Sequence, residues 1–179
     1  MILLGLGGNL SSPEFGAPVE VLTQALVELR QAGVRVSECS PMYRSAPVPA
    51  SDQPWFINAV ARVETALAPA ALLALLHRIE ARLGRHRGVR WAARIIDLDL
   101  LVYDDLIIPR DSDSDSDGGL VLPHPRLSER AFVVLPLADV APEWRHPVSG
   151  KSATDLQADM QIDLAPEKQL EQQIEQIVD

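Results

Sequence analysis

Two aspartates, and the arginines that precede them, carry the clearest chemical signal in this sequence. Asp97 and Asp99 lie two residues apart within the apolar stretch Ile95–Leu101, which is typical of a buried strand. Alternate side chains of a strand point to the same face, so both carboxylates should leave one side, roughly 6–7 Å apart. That spacing suits two divalent ions, which lie about 3.5–4 Å from each other in two-metal sites.

The segment before the aspartates is rich in arginine. Arg85, Arg87, Arg90 and Arg94 lie there, and Glu80 is the one acidic residue between positions 78 and 94. Guanidinium groups opposite a carboxylate pair are what a magnesium–polyphosphate substrate requires. Alone, a D-x-D strand is often a solvated face and loop arginines are usually surface charge. Their adjacency favours a functional site.

Length and composition indicate one ordered domain. The chain has 179 residues, of which 47% are hydrophobic, and no apolar run is long enough to suggest export or a membrane span. The single cysteine, Cys39, cannot form an internal disulfide, which favours the reducing cytoplasm. We expect one domain over residues 1–160 and a separate tail over 161–179.

The net charge of −9 comes from an insert and the tail. Residues 111–119, DSDSDSDGG, contribute four aspartates and are expected to be disordered. Residues 151–179 carry seven acidic residues against two lysines, and the remainder carries 14 of each sign. This remainder lacks the broad basic face and the aromatics of a nucleic-acid reader. The apolar stripe of Leu170, Ile174 and Ile177 predicts a helical tail that packs on its own chain, with a dimer contact as the alternative to a monomer.

The order of predicted elements indicates the fold class. We expect strands over 2–6, 34–43, 56–65 and 97–103, a helix from Ser12-Pro13 to Arg30, and a second helix over 69–83 that ends at Gly84. This order predicts an α/β (α+β) two-layer sandwich of ferredoxin-like type, with an antiparallel sheet and helices packed on one face. The aspartate face would then be free of helices. Asn58, an amide inside an apolar strand, is either a satisfied structural amide or a ligand reader.

Several stretches follow one another in an order known from one family. They are GLGGNL at 5–10, YRSAPV at 43–48, QPWFIN at 53–58, RWAARIIDLDLL at 90–101, and the PHPR, RAF, PL and AP segments between 123 and 142. Together they resemble the motifs of the 6-hydroxymethyl-7,8-dihydropterin pyrophosphokinases of folate biosynthesis, over residues 2 to 146.

The resemblance implies transfer of pyrophosphate from ATP to the pterin hydroxymethyl group, which releases AMP and uses two Mg²⁺ ions. The catalytic group it implies is Arg85, Arg94, Asp97 and Asp99, and the two aspartates would hold the metals. The ATP-binding residues it implies are Arg87, Arg90, Trp91, His124, Arg130 and Glu80. The pterin-binding residues it implies are Ser45, Pro47, Val48, Phe56, Asn58 and Phe132.

Alternatives stay open at this point. Gly8 replaces the serine of the family's turn, and a salt bridge to a neighbouring arginine would explain Glu80 as well as ATP binding does. One rival function is a ferredoxin-like module that binds a ligand or metal without turnover. Another is a magnesium-dependent phosphohydrolase. The three readings differ in the products that each forms from ATP.

Overall fold

A computed structural model of the protein describes residues 1–85, 92–109, 119–163 and 173–177. Its strands are β1 (Ile2–Gly8), β2 (Arg35–Cys39), β3 (Tyr43–Ser45), β4 (Phe56–Glu64), β5 (Asp97–Tyr103) and β6 (Ile174–Gln176). Its helices are α1 (Pro18–Gln31), α2 (Pro69–Arg82), α3 (Ala131–Val140) and α4 (Ala153–Asp163), with a 3-10 turn at Leu127–Glu129. The strands form one antiparallel sheet in the order β5-β1-β4-β3-β6, and β2 also pairs with β4.

The main hydrophobic core lies between one face of this sheet and the helices α1 and α2. Alternate residues of β1 point into it, namely Ile2, Leu4 and Leu6. The apolar stripes of α1 and α2 cover them, with Leu22 and Leu76 among the fully buried side chains. The predicted fold class, an antiparallel sheet with helices packed on one face, is confirmed for these two helices.

The opposite face differs from the sequence expectation, because α3 and α4 cover part of it. A second core joins these helices to Leu3, Val60 and Val102. The physical reason is the composition of α3, AFVVLPLADV, which is apolar almost all round and must be buried. The face that bears Asp97 and Asp99 is therefore covered next to Leu3, while both aspartates keep partial exposure.

The start of α1 corrects another expectation. The helix begins at Pro18 instead of Ser12-Pro13. Ser12 forms a short antiparallel bridge with Gly16, whose φ of +89° is incompatible with a right-handed helix. The Glu20 carboxylate then accepts a hydrogen bond from the Ala17 N–H at the true start. By contrast, α2 begins at Pro69 and is followed by Gly84 with a φ of +93°, as predicted.

The tail also departs from the prediction. The helical expectation for residues 161–179 is wrong at Ile174–Gln176, which form the edge strand β6 beside β3. An uncovered strand edge offers unpaired N–H and C=O groups, and pairing with them outweighs the helical spacing of the isoleucines. Residues 111–118 of the acidic insert lie outside the described residues. Within the described ranges, no helix has the length and apolar character to cross a membrane.

Candidate active site

Strand β5 presents both aspartates on the face opposite α1 and α2. Directly opposed residues in an antiparallel pair share a face, and Asp97 and Asp99 lie opposite Gly7 and Gly5 of β1. Gly7 in turn lies opposite Asn58 of β4. The sheet register therefore places an amide, a glycine and a carboxylate in one row across three strands.

Asp97 forms ion pairs with both described arginines of the catalytic group. Its two oxygens receive Arg85 Nη1 and Arg94 Nη1, the latter at 2.6 Å. The three side chains are between 22% and 26% exposed, so water screens these charges only in part. Predicted residues 85, 94 and 97 are thus brought together, and Asp99 adjoins them on the same strand.

Glu80 lies behind Arg85 and away from solvent. The residue is 3% exposed, and its carboxylate accepts hydrogen bonds from Arg85 Nη1 and from the Leu98 N–H at 2.7 Å. Burial raises the pKa of Glu80, while the Leu98 N–H and Arg85 oppose that rise. These contacts fit the salt-bridge explanation of Glu80, with a role in positioning Arg85.

The Asp99 side chain lies in surroundings that disfavour its charged form. Within the described part of the chain it forms no hydrogen bond or ion pair. Burial, followed by repulsion from Asp97, raises the pKa of Asp99 to about 7, and Arg130 opposes the rise. A bound cation would remove this penalty.

The residues present suit magnesium bound together with its substrate. Among the described residues, no cluster of three or more His, Cys, Asp and Glu side chains could hold a metal alone. Magnesium is commonly held by one or two carboxylates, with phosphate oxygens and water completing its octahedron. Asp97 and Asp99 match that donor set.

His124 and Arg130 approach the aspartates from the segment before α3. The His124 N–H donates to the Leu101 carbonyl at 2.8 Å, which fixes this segment to β5. Burial, helped by the charges of Arg130 and Arg126, lowers the pKa of His124 to about 4. Its Nδ1 accepts the Arg126 N–H at 3.3 Å, which assigns the proton of the neutral ring to Nε2. His124 is therefore an uncharged donor at neutral pH.

Asn58 lies among residues that the resemblance assigns to the pterin. It is 6% exposed, and its Nδ2 donates to Ser45 Oγ at 2.9 Å. Phe56 lies two residues earlier on the same face. A Cβ built on Gly7 would lie 3.1 Å from Asn58 Oδ1, so the glycine leaves the sheet surface flat between Asn58 and Asp97. Asn58 keeps a second amide hydrogen and acceptor capacity for a ligand.

Three further predicted pterin-binding residues lie on β3's following loop and on α3, and three predicted ATP-binding residues are not described. Pro47 and Val48 follow β3, and Val48 is 40% exposed. Phe132 lies on α3, where the Arg130 guanidinium carbon is 5.4 Å from its ring centroid. Arg87, Arg90 and Trp91 lie outside the described residues.

Sequence reasoning missed Asn9, which it treated as part of a turn. The side chain is buried, and its Nδ2 donates to the Pro54 carbonyl at 3.0 Å and to Gln53 Oε1 at 3.3 Å. Its Oδ1 accepts the Arg94 N–H at 2.8 Å, and its own N–H donates to the Arg94 carbonyl at 2.9 Å. Asn9 thus joins the arginine segment to the loop before Phe56. The sequence feature that could have drawn attention to Asn9 is its position directly after Gly7 and Gly8.

Comparisons with known proteins agree with this geometry. A model of the 7,8-dihydro-6-hydroxymethylpterin-pyrophosphokinase (HPPK) family matches residues 3–142. The 2-amino-4-hydroxy-6-hydroxymethyldihydropteridine pyrophosphokinase of Methylorubrum extorquens is 42% identical over 141 residues, covering 78% of this chain and 82% of that protein. The folic acid synthesis protein fol1 of Pneumocystis carinii is 38% identical over 151 residues, covering 84% of this chain and 19% of that protein.

A solved structure supports the fold independently. The crystal structure of wild-type Plasmodium falciparum HPPK-DHPS with pteroate aligns with a TM-score of 0.73 at 14% identity, covering 98% of this chain and 47% of that chain. At this identity the likeness shows the fold alone, which is the ferredoxin-like α/β fold of such domains. The chain spans about half of the Plasmodium polypeptide and about a fifth of fol1.

Proposed function

This chain belongs to the 7,8-dihydro-6-hydroxymethylpterin-pyrophosphokinase family, and we propose that it transfers the pyrophosphoryl group of ATP to the hydroxymethyl group of 6-hydroxymethyl-7,8-dihydropterin. The chain is an enzyme of folate biosynthesis, ATP is its co-substrate, and AMP is released. The observation that carries this reaction is the cluster of Arg85, Arg94 and Asp97 beside Asp99, within residues 3–142 that match the family.

Asp97 and Asp99 would hold two Mg²⁺ ions. Asp99 forms no hydrogen bond or ion pair among the described residues, and burial raises its pKa in spite of Arg130, which supports this assignment. When bound, magnesium neutralises the phosphate charges. Asp97 also pairs with the guanidinium groups of Arg85 and Arg94 and so holds both at the site before ATP arrives.

The two arginines stabilise the charge that develops during transfer. The oxygen of the pterin hydroxymethyl group forms a bond to the β-phosphorus of ATP and loses its proton, while the bond from that phosphorus to the α-phosphate oxygen breaks. Arg85 and Arg94 are placed to pair with the phosphate oxygens as AMP leaves. Because both are anchored by Asp97, little reorganisation is needed.

His124 and Arg130 bind the nucleotide in different ways. Arg130 pairs with phosphate as a cation, since its guanidinium stays charged in spite of burial. His124 donates a neutral hydrogen bond from Nε2, because its pKa lies well below neutrality. Arg87, Arg90 and Trp91 remain predicted ATP-binding residues.

The pterin lies over Gly7, with its amide edge at Asn58. Neighbouring strands are about 4.8 Å apart, so Asn58 and Asp97 are roughly 9–10 Å apart across the β1 glycine. A flat bicyclic ring in this space directs its hydroxymethyl arm towards Asp97. Phe56 and Phe132 stack on the ring, and Ser45, Pro47 and Val48 line its edge.

The partners of the chain are therefore small molecules. We assign it to the cytoplasm and expect a monomer that uses neither nucleic acid nor membrane as a partner. The binding-module and phosphohydrolase readings lack the support that the family match gives to pyrophosphoryl transfer.

The test is ATP consumption with and without 6-hydroxymethyl-7,8-dihydropterin in the presence of Mg²⁺. AMP formation that depends on the pterin is the expected result. Release of phosphate or ADP without the pterin would identify a phosphohydrolase instead. Binding of either ligand without any turnover would identify a binding module.

A further inference from the structure

We propose that the C-terminal segment Gln173–Ile177 is a positioning element of the pterin subsite, which holds β3 and the start of the following loop against Asn58. The inference rests on the proposed function, because the pterin subsite is defined by it. The segment lies beyond residues 3–142, the part of the chain that matches the family.

The segment is bound to β3 through its backbone. The pairing is antiparallel, and its register opposes Ser45 to Ile174, Arg44 to Glu175, and Tyr43 to Gln176. Two further hydrogen bonds extend the ladder at its ends. The Ala46 N–H donates to the Gln173 carbonyl at 2.9 Å, and the Ile177 N–H donates to the Met42 carbonyl at 2.8 Å.

β3 needs such support because it is only three residues long. Its other partner is β4, where Ser45 lies opposite Phe56 and Tyr43 lies opposite Asn58. Without β6, the N–H and C=O groups on the outer edge of β3 would face water, and a short edge strand frays easily. The Ala46 N–H is the last ladder donor before Pro47, so β6 fixes the chain where the loop begins.

The side chains add a weaker contribution. Arg44 Nη1 lies 3.1 Å from the Glu175 carboxylate, and its guanidinium carbon is 4.7 Å from the ring centroid of Trp55, directly before Phe56. Both charged groups are more than half exposed, so solvent screens their attraction. Ile174 shares a face with Ser45 and extends the substrate side of the sheet by one apolar residue.

Loss of the β6 pairing should affect binding of the pterin and leave binding of ATP unchanged. Ser45 Oγ accepts the hydrogen bond that orients Asn58, and β3 carries Ser45. Loosening β3 should therefore weaken pterin binding. The cluster of Arg85, Arg94 and Asp97 is attached to other elements, so the chemical step should be retained.

Two proline variants test the pairing with a matched control. Ladder bonds alternate along an antiparallel strand, so residues 173, 175 and 177 direct their backbone groups to β3, and Gln176 directs its N–H away. Glu175→Pro removes a ladder donor, whereas Gln176→Pro is compatible with an edge strand. We expect Glu175→Pro to raise KM for the pterin at least fivefold, with KM for ATP and kcat within twofold of wild type. Gln176→Pro should resemble wild type in all three.

Hydrogen exchange supplies a readout that does not depend on turnover. The Ala46 amide should exchange slowly in wild type and in Gln176→Pro, and at least tenfold faster in Glu175→Pro. Equal pterin KM and equal Ala46 protection in the two proline variants would overturn the proposal. So would a parallel rise in the KM values of pterin and ATP, or loss of a cooperative melt in Glu175→Pro, because the segment would then serve general stability.

Truncation provides a second, independent comparison. Removal of residues 173–179 should reproduce the pterin effect of Glu175→Pro, and removal of 178–179 alone should not. A wild-type chain that forms no AMP from ATP and pterin would refute the proposed function. A wild-type chain that forms AMP, with variants of unchanged pterin KM, would refute this inference alone.

Discussion

At the scale of single residues, Arg85 and Arg94, the arginines that we propose for catalysis, each have an anchor outside the proposed substrate face. Arg85 is held from behind by the Glu80 carboxylate, and Arg94 is held through its backbone by Asn9. On the aspartate face, the two Asp97 oxygens accept hydrogen bonds from both guanidinium groups. A planar guanidinium with fixed orientation can pair with phosphate oxygens at a lower entropic cost than a mobile one.

The Glu80 anchor predicts a change in rate more than in affinity. Glu80→Gln keeps the shape of the side chain but removes the charge that orients Arg85, so we expect kcat to fall about tenfold, or ~1.4 kcal/mol. KM for ATP should stay within twofold. Glu28→Gln is the matched control, since Glu28 is also a buried helical glutamate paired with an arginine, Arg82. The control should retain kcat, and equal kcat values for both variants would contradict the role of Glu80.

Because Asn9 bonds both the Arg94 segment and the loop at Gln53 and Pro54, its substitution should affect kcat and the KM for the pterin together. Asn9→Asp keeps an acceptor for the Arg94 N–H but sets a carboxylate oxygen against the Pro54 carbonyl, where a donor now lies at 3.0 Å. A lost buried donor costs about 1–3 kcal/mol of stability. We expect a lower melting temperature, a lower kcat and a higher KM for the pterin. Steady-state kinetics and thermal melts check this, and a variant with wild-type kinetics would show that Asn9 is a local structural amide only.

At the scale of elements, β1 is the flat centre of the proposed substrate face. Gly5 and Gly7 lie opposite Asp99 and Asp97, where any side chain would stand between β4 and β5. Gly8 ends the strand where a Cβ would overlap the Ile95 carbonyl oxygen, so the backbone just before the aspartate strand approaches it closely. Gly5, Gly7 and Gly8 thus serve close packing and open space.

This arrangement predicts different outcomes for two alanine substitutions on one strand. A Cβ at Gly7 would crowd Asn58 Oδ1 at 3.1 Å, whereas a Cβ at Gly5 would make ordinary contact with the Leu101 side chain at 3.4 Å. Gly7→Ala should raise KM for the pterin about tenfold, with a change in the free energy of unfolding below about 1 kcal/mol. Gly5→Ala should leave the pterin KM within twofold. Similar KM values for the two variants would place the pterin elsewhere.

At the scale of the whole molecule, two cores enclose the sheet and leave the aspartates at the edge of the second one. The core under α1 and α2 uses alternate residues of β1, and α3 and α4 cover Leu3, Val60 and Val102 on the other face. This partial cover explains the burial that raises the pKa of Asp99. This burial makes the charged form of Asp99 unfavourable, and a bound cation would relieve that cost.

The pKa of Asp99 predicts a pH-dependent stability without metal. Between its ordinary value and about 7, the folded chain binds a proton at Asp99 that the unfolded chain has released. The contribution of Asp99 to stability therefore falls as pH rises through this window. Asp99→Asn should be more stable than wild type at pH 8 in EDTA, by about 1–3 kcal/mol after allowance for partial exposure, and nearly equal to it at pH 4.

Urea unfolding at both pH values measures this difference. At pH 8, Mg²⁺ added together with ATP should stabilise wild type more than Asp99→Asn, because a ligand of the folded state raises its stability by mass action. Equal stability of the two proteins at pH 8 would mean that Asp99 is ionised and solvated without a cation.

The sequence alone determined the chemistry and most of the framework that carries it. The D-x-D spacing on an apolar strand required both carboxylates to share a face, because strand periodicity is local. Pro69 and Gly84 fixed the ends of α2 for the same reason, since their backbone preferences act within a few residues. The ordered motifs from the GLGGNL turn to the PHPR segment identified the family before any fold was known.

Only the tertiary structure decided which distant groups meet. Asn9 and Arg94 are 85 residues apart, and nothing in the local pattern shows that one accepts the N–H of the other. The helical expectation failed at Ile174–Gln176 because an unpaired edge of β3 was available, which periodicity cannot reveal. Partial cover of the aspartate face by α3 likewise depends on long-range packing, because the sequence does not show which sheet face this apolar helix covers. Local sequence patterns identify the groups that can react. Long-range packing determines their partners, their burial and their charge.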